Sequence, residues 1–205
     1  KIMLLYAQNF NGLIQSFPKN EVIAAEGQAN EGENSTKLGL NGIPALAEHM
    51  QITRDLFLLE YTEGKLHIPT ISTAKSVSLI KAAKKKGLDV TCSVSTHHLI
   101  LTDDELETFD SNHKVSPPLR TSTDCKALIK GIKDGTIDLI TSDHNPIDIE
   151  HKKVEFSAAK HGTIGLESLF GAINKVLSLE DSIPCLTNKP RERFNLNPTT
   201  INEEQ

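Results

Sequence analysis

The chain has 205 residues, a formal charge of −5 and a hydrophobic fraction of 38%. That composition suits one globular domain able to bury a core, and the mild acidity argues against nucleic acid as the main partner. Three scattered cysteines (Cys92, Cys125, Cys185) without metal-ligand spacing, and no apolar run of bilayer length, predict a soluble protein of a reducing, cytoplasmic compartment, neither membrane-bound nor disulfide-built.

Taken in order, residues 1–10 read as the end of a helix, broken at Gly12. Leu13 to Phe17 is a short strand closed by Pro18. The stretch 19–44, rich in Gly, Asn and Glu, reads as one long loop, a length that is uncommon unless the loop covers a site or is a surface excursion. Leu46, Met50, Thr53, Phe57 and Tyr61 recur at helical spacing, which predicts an amphipathic helix over 45–62 ended by Gly64. Leu66 to Ser72 is the next strand, and Thr73 can cap a helix at about 74–86 that Gly87 ends. In that helix Lys81, Lys84, Lys85 and Lys86 form a solvated basic face. Val90 to His97 reads as a strand with Val90, Cys92 and Val94 on one face and Thr91, Ser93, Ser95 and His97 on the other. A helix over Asp124 to Lys133 leads through Gly135 into a buried, β-branched strand, Ile137 to Thr141. Leu166, Leu169, Phe170, Ile173, Val176 and Leu177 make a helical core stripe, and Leu186 to Phe194 is one more short helix.

Strands alternating with helices predict a parallel sheet with crossover helices. Four strands are too few for a complete eight-stranded barrel, which takes about 250 residues, but they fit half of one. The chain opens inside a helical pattern without an initiator Met, so residues 1–205 are expected to be a fragment of a single barrel domain. Asp143 and His144 fall at the C-terminal end of the last strand, where α/β sheets place their chemistry. A carboxylate there can hold a metal or take a proton, or it can simply cap the next loop.

Several motifs now point the same way. Thr70-Ile-Ser-Thr-Ala74, Ser95-Thr-His-His-Leu99, Lys114-Val-Ser-Pro-Pro-Leu-Arg120, Thr141-Ser-Asp-His-Asn-Pro146 and Gly162-Thr-Ile-Gly-Leu-Glu167 stand in the order and spacing seen in dihydroorotases. Asn30-Glu-Gly, Leu38 to Pro44 and Leu186-Thr-Asn-Lys-Pro190 add to the resemblance, which covers nearly the whole chain. Dihydroorotases belong to the amidohydrolase superfamily of metal-dependent (β/α)8 barrels, so the resemblance implies α/β architecture, a partial TIM barrel of about strands five to eight. It implies interconversion of carbamoyl aspartate and dihydroorotate in pyrimidine synthesis, with zinc activating a hydroxide. Asp143 matches the strand-eight Asp, a metal neighbour and general base. Ser116, His97 and Gly162 are the positions expected to line the substrate site.

The sequence also departs from the family pattern. Where the strand-five metal His is expected, the chain reads Gln15-Ser-Phe-Pro18, and the strand-six metal His position is Thr70. His67, three residues earlier, falls on the opposite face of an extended strand and reads as a structural histidine. Ser116 replaces an Asn that precedes Pro-Pro-Leu-Arg, and Ile147 replaces a His two residues beyond Asp-His-x, so one carboxylate-binding donor is lost. His113, His151 and His161 read as loop histidines above the site. Three functions follow: a dihydroorotase with a reduced metal site; an inactive homologue acting as an assembly partner of aspartate carbamoyltransferase; or a cyclic-amide hydrolase with a more apolar pocket.

Overall fold

The structure is a computed structural model that describes residues 1–197. In chain order its first elements are α1 (Ile2–Gln8), β1 (Ile14–Gln15), α2 (Glu21–Ala24), β2 (Ala29–Asn30), α3 (Glu33–Leu38) and β3 (Gly42–Ile43). Then come α4 (Ala45–Thr62), β4 (Leu66–Ile68), α5 (Ala74–Lys85), β5 (Val90–Ser95) and α6 (Thr96–Ile100). Two 3-10 turns lead to α7 (Ser122–Lys133) and β6 (Leu139–Thr141), followed by α8 (Ile149–Lys152), α9 (Leu169–Ile173), α10 (Leu179–Leu186) and α11 (Asn188–Arg193). None of these helices is long and apolar enough to cross a membrane.

Strands β1, β4, β5 and β6 form one parallel sheet in that order, the chain order of a partial barrel. Every neighbouring pair is joined through a crossover helix, as parallel pairing requires. The helical side of the sheet is apolar: Leu66, Ile68, Cys92 and Val94 pack under Ile52, Leu59, Ile80 and Leu128, all essentially inaccessible. Each such aliphatic side chain contributes about 1.5–3 kcal/mol by leaving water. The opposite face carries His67 and Thr91, joined by a His67 Nδ1–Thr91 Oγ1 hydrogen bond of 2.9 Å. Among the described residues β1 and β6 each pair on one side only.

Local signals set the helix ends. The Thr73 hydroxyl accepts from Ser76 N at 3.2 Å and caps α5, and Gly87 leaves that helix in the left-handed region at φ +83°.

Several expectations need correction. Residues 19–44 are not a bare loop but two short helices and a small parallel ladder, β2 with β3. The stripe Leu46, Met50, Phe57 and Tyr61 faces outward, with Phe57 71% exposed. The buried face of α4 instead combines Ile52, Leu56 and Leu59 with Glu48, Gln51 and Asp55. Polar side chains can face inward because they meet waiting donors, described below. The strand from Leu66 stops at Ile68, since Pro69 cannot donate to the ladder and Thr70 turns to φ +55°. Facial alternation therefore does not carry from His67 to Thr70. His97 lies not on a strand but in α6, because the chain coils directly after Ser95. Of the stripe 166–177, Ile173 and Leu177 are buried whereas Leu166 and Phe170 are exposed, and only 169–173 is α-helical. The short helix expected over Leu186 to Phe194 is present as α11, and α10, with Pro184 inside it, precedes it and was not foreseen.

Candidate functional site at the strand ends

Asp143 lies two places beyond Thr141, the last residue of β6, and its backbone turns to φ +47°. The turn is held by Asp143 N donating to Thr141 Oγ1 at 3.2 Å. It is also packed from behind, since a Cβ on Gly165 would lie 2.2 Å from Ser142 O. This sends the carboxylate toward α6, where Asp143 Oδ2 lies 3.6 Å from His97 Nε2. Burial holds the Asp143 carboxyl above the usual carboxylate range. Burial first, and the neighbouring His98 second, push the His97 imidazole down to about 2. The contact therefore joins a carboxyl group to a neutral ring and is not an ion pair. His97 Nε2 is buried and finds no hydrogen-bond partner among the described residues. A cavity of about 160 Å³ opens beside it, lined by Thr96, His97, His113, Ser142, Thr163 and Ser168.

The other expected residues surround this pair unevenly. Ser116 is half-buried and borders a different cavity, beside Lys19, Glu48 and Arg120. Gly162 sits at φ +142°, and a Cβ there would meet Asn145 O at 2.6 Å and Ile147 Cγ1 at 2.9 Å. Its N–H donates to Lys114 O at 2.9 Å, so that donor holds the loop together and is not offered to a ligand. His144 is exposed, and its Nδ1 accepts from Gly165 N and Leu166 N. His67 does share the inner face, but it pairs in register with Thr91, four residues before Ser95, whose partner is Thr141. Four steps of a strand place it about 13 Å below the Asp143 rim. There it packs edge-on to Phe194, and burial lowers its pKa to about 4.

A second polar centre lies between the helices and was not foreseen. Glu48 accepts from Ser72 N, Thr73 N, Thr73 Oγ1 and Ser76 Oγ, at 2.5–3.2 Å, and also from Ser72 Oγ. Its charge satisfies amides at the start of α5, where the helix dipole favours an anion. Arg120 donates to Ser72 Oγ (3.1 Å), Asn30 Oδ1 (2.7 Å) and Ile43 O (3.0 Å), with Nη2 3.9 Å from Glu48. Asn30 in turn donates to Asp103 at 2.7 Å. Asn30, Ser72, Thr73 and Arg120 all belong to motifs that carried the family resemblance. The polar positions 48, 51 and 55 fall on one face of the helix, and that spacing was the available signal.

The chain's own residues do not fit a zinc ion. Asp143 and the unpartnered His97 Nε2 are two donors, and zinc takes about three protein ligands. Among the described residues no three His, Cys, Asp or Glu side chains come together as a metal site.

No family model matches the chain. The dihydroorotase of Ruminiclostridium cellulolyticum is 42% identical over 207 residues, 98% of this chain and 48% of that protein. That of Carboxydothermus hydrogenoformans is 43% identical over 196 residues, 96% and 45% respectively. The chain is homologous to dihydroorotases. It spans about half the length of the curated dihydroorotases it matches, corresponding to a C-terminal part of the amidohydrolase fold. Solved structures agree on that fold. A dihydropyrimidinase from Brevibacillus agri superposes with a TM-score of 0.82 at 22% identity, over 96% of this chain and 46% of that one. An L-hydantoinase from Arthrobacter aurescens gives 0.82 at 26% identity, over 94% and 46%.

Proposed function

We propose that this chain supplies the C-terminal half of a single-domain dihydroorotase barrel, strands five to eight, in a cytoplasmic enzyme. Its substrates would be the small molecules carbamoyl aspartate and dihydroorotate. The observation that supports this reading is Asp143, which by its motif resembles the strand-eight aspartate and which the fold holds at the rim beside His97. In the hydrolytic direction water adds to the ring amide carbonyl and the C–N bond breaks. Asp143 takes the proton from the attacking water and returns it to the departing nitrogen. Burial raises this carboxyl above its ordinary value, the direction that favours its taking a proton. His97 stays neutral and can donate or accept a hydrogen bond at the substrate edge, and Ser116, which borders the other cavity, would donate another where the substrate extends to it. Family membership implies metal dependence and zinc, but with two donors in this half, further ligands would have to come from residues outside the chain.

The test is zinc content and carbamoyl aspartate cyclisation measured on the same sample of natively purified full-length protein. Turnover is the expected result, with stoichiometric zinc if the remaining half completes a site. The absence of both zinc and turnover would overturn the reading. It would favour the second one, an inactive barrel assembled with a partner such as aspartate carbamoyltransferase, which Gln15 and Thr70 at metal-ligand positions support. Turnover of hydantoins or dihydropyrimidines in place of carbamoyl aspartate would favour a different cyclic-amide substrate, as Ile147 does.

A further inference from the structure

His98 is used by none of the chemistry above, yet it is among the most constrained side chains in the molecule. It is 1% exposed, at the end of the strand-to-helix turn from β5 into α6. Its Nε2 lies 3.1 Å from Pro117 O and 3.2 Å from Pro118 O. Carbonyl oxygens only accept, so Nε2 carries the proton. Nδ1 is then the acceptor of the Ser95 hydroxyl. One face of the ring lies against His97, with centroids 4.6 Å apart. The two carbonyls thus set the tautomer and Ser95 donates to Nδ1, His98 holds the backbone on which Ser116 stands, and the same ring backs His97 where it faces Asp143. Arg120 anchors the far end of this loop, leaving residues 116–118 to His98.

We infer that His98 is a positioning residue that fixes both the Ser116 loop and the His97 ring at the rim. Its effect on kinetics rests on the dihydroorotase reading; its hydrogen-bonding geometry does not. In full-length enzyme His98→Phe keeps the ring shape and removes both hydrogen bonds. The expected result is a rise in KM for carbamoyl aspartate of about tenfold with kcat held within about threefold. In a Ser116→Ala background that KM effect should largely vanish, because the two residues act as one unit. His98→Gln, which keeps one donor and one acceptor, should restore most of the affinity. Fully additive KM effects, or a loss confined to kcat, would overturn the proposal. Should His98→Phe not fold, Ser95→Ala takes its place and is read by the same cycle. Nitrogen-15 NMR of the histidines in the wild-type protein decides independently of turnover. The proton is expected on Nε2 of His98, and a proton on Nδ1 refutes the clamp even in an active enzyme. Absent turnover with the expected tautomer refutes the dihydroorotase reading alone.

Discussion

The buried centre around Glu48 and Arg120 and the rim around Asp143 are both polar, and they are built on opposite terms. Around Glu48 the amides of Ser72 and Thr73 and the hydroxyls of Ser72, Thr73 and Ser76 all reach the carboxylate, and a charge at the start of α5 faces a guanidinium. At the rim the bookkeeping is left open: Asp143 lacks a charged partner and His97 Nε2 lacks any partner among the described residues. Satisfied buried groups specify a structure, while buried groups held unsatisfied are poised to act on something else. Asn30, Ser72, Thr73 and Arg120, which carried part of the family resemblance, belong to the first centre, so that part of the resemblance reports the scaffold and not the chemistry.

Breaking the rim should show the largest effect, and on activity alone. In full-length enzyme Asp143→Asn removes the proton carrier and should lower kcat by about 10²–10⁴-fold. Denaturant unfolding should stay within about 0.5 kcal/mol of wild type, because a carboxylate whose burial is uncompensated is lost. An enzyme that keeps its turnover would take Asp143 out of the mechanism.

Breaking the other centre should do the reverse. Glu48→Ala leaves Arg120 without its opposite charge and strands five donors at the α5 start, so unfolding free energy should fall by about 3–5 kcal/mol. A midpoint in urea unchanged from wild type would show that the network is not what holds α4 to α5.

Acid should separate the two regions through their histidines. His67 and His98, each at most 2% exposed, are held neutral by burial with pKa values of about 4. In the unfolded chain each takes a proton near 6.5, so between these values the unfolded state binds more protons. Stability is then full above about pH 6.5 and lost as pH falls toward 4, by about 2 kcal/mol per histidine at pH 5. Urea titrations at pH 7 and pH 5 check this, and His67→Gln should remove only that residue's share of the slope, since the buried His97, His98 and His161 keep theirs. Equal stability at both pH values would mean the two rings titrate as solvated imidazoles.

Much of the scaffold was legible in the sequence because its signals are local. Thr73 and Gly87 bound α5, Gly135 precedes the last strand, and strands alternating with helices dictate a parallel sheet. The rim was legible only through the position of Asp143. That His97 faces it from a helix depends on where β5 stops, and no residue between Ser95 and His97 announces that stop. The small ladder in 19–44 is two residues a strand, too short for any period to register.

Helix α4 shows the limit best, and it supplies the smallest effect. An apolar stripe was read as its inner face because apolar groups gain most by burial, yet Glu48, Gln51 and Asp55 go inside since their partners already wait there. The stripe and the true core face differ by about two residues of rotation, so paired substitutions distinguish them. Ile52→Ala, at 0% exposure, should cost about 2–5 kcal/mol. Phe57→Ser, although it removes a far larger apolar group, should change stability by no more than about 0.5 kcal/mol. Were the Phe57 variant the more damaging of the two in urea, α4 would be turned with its apolar stripe inward, and the Glu48 centre could not form as described.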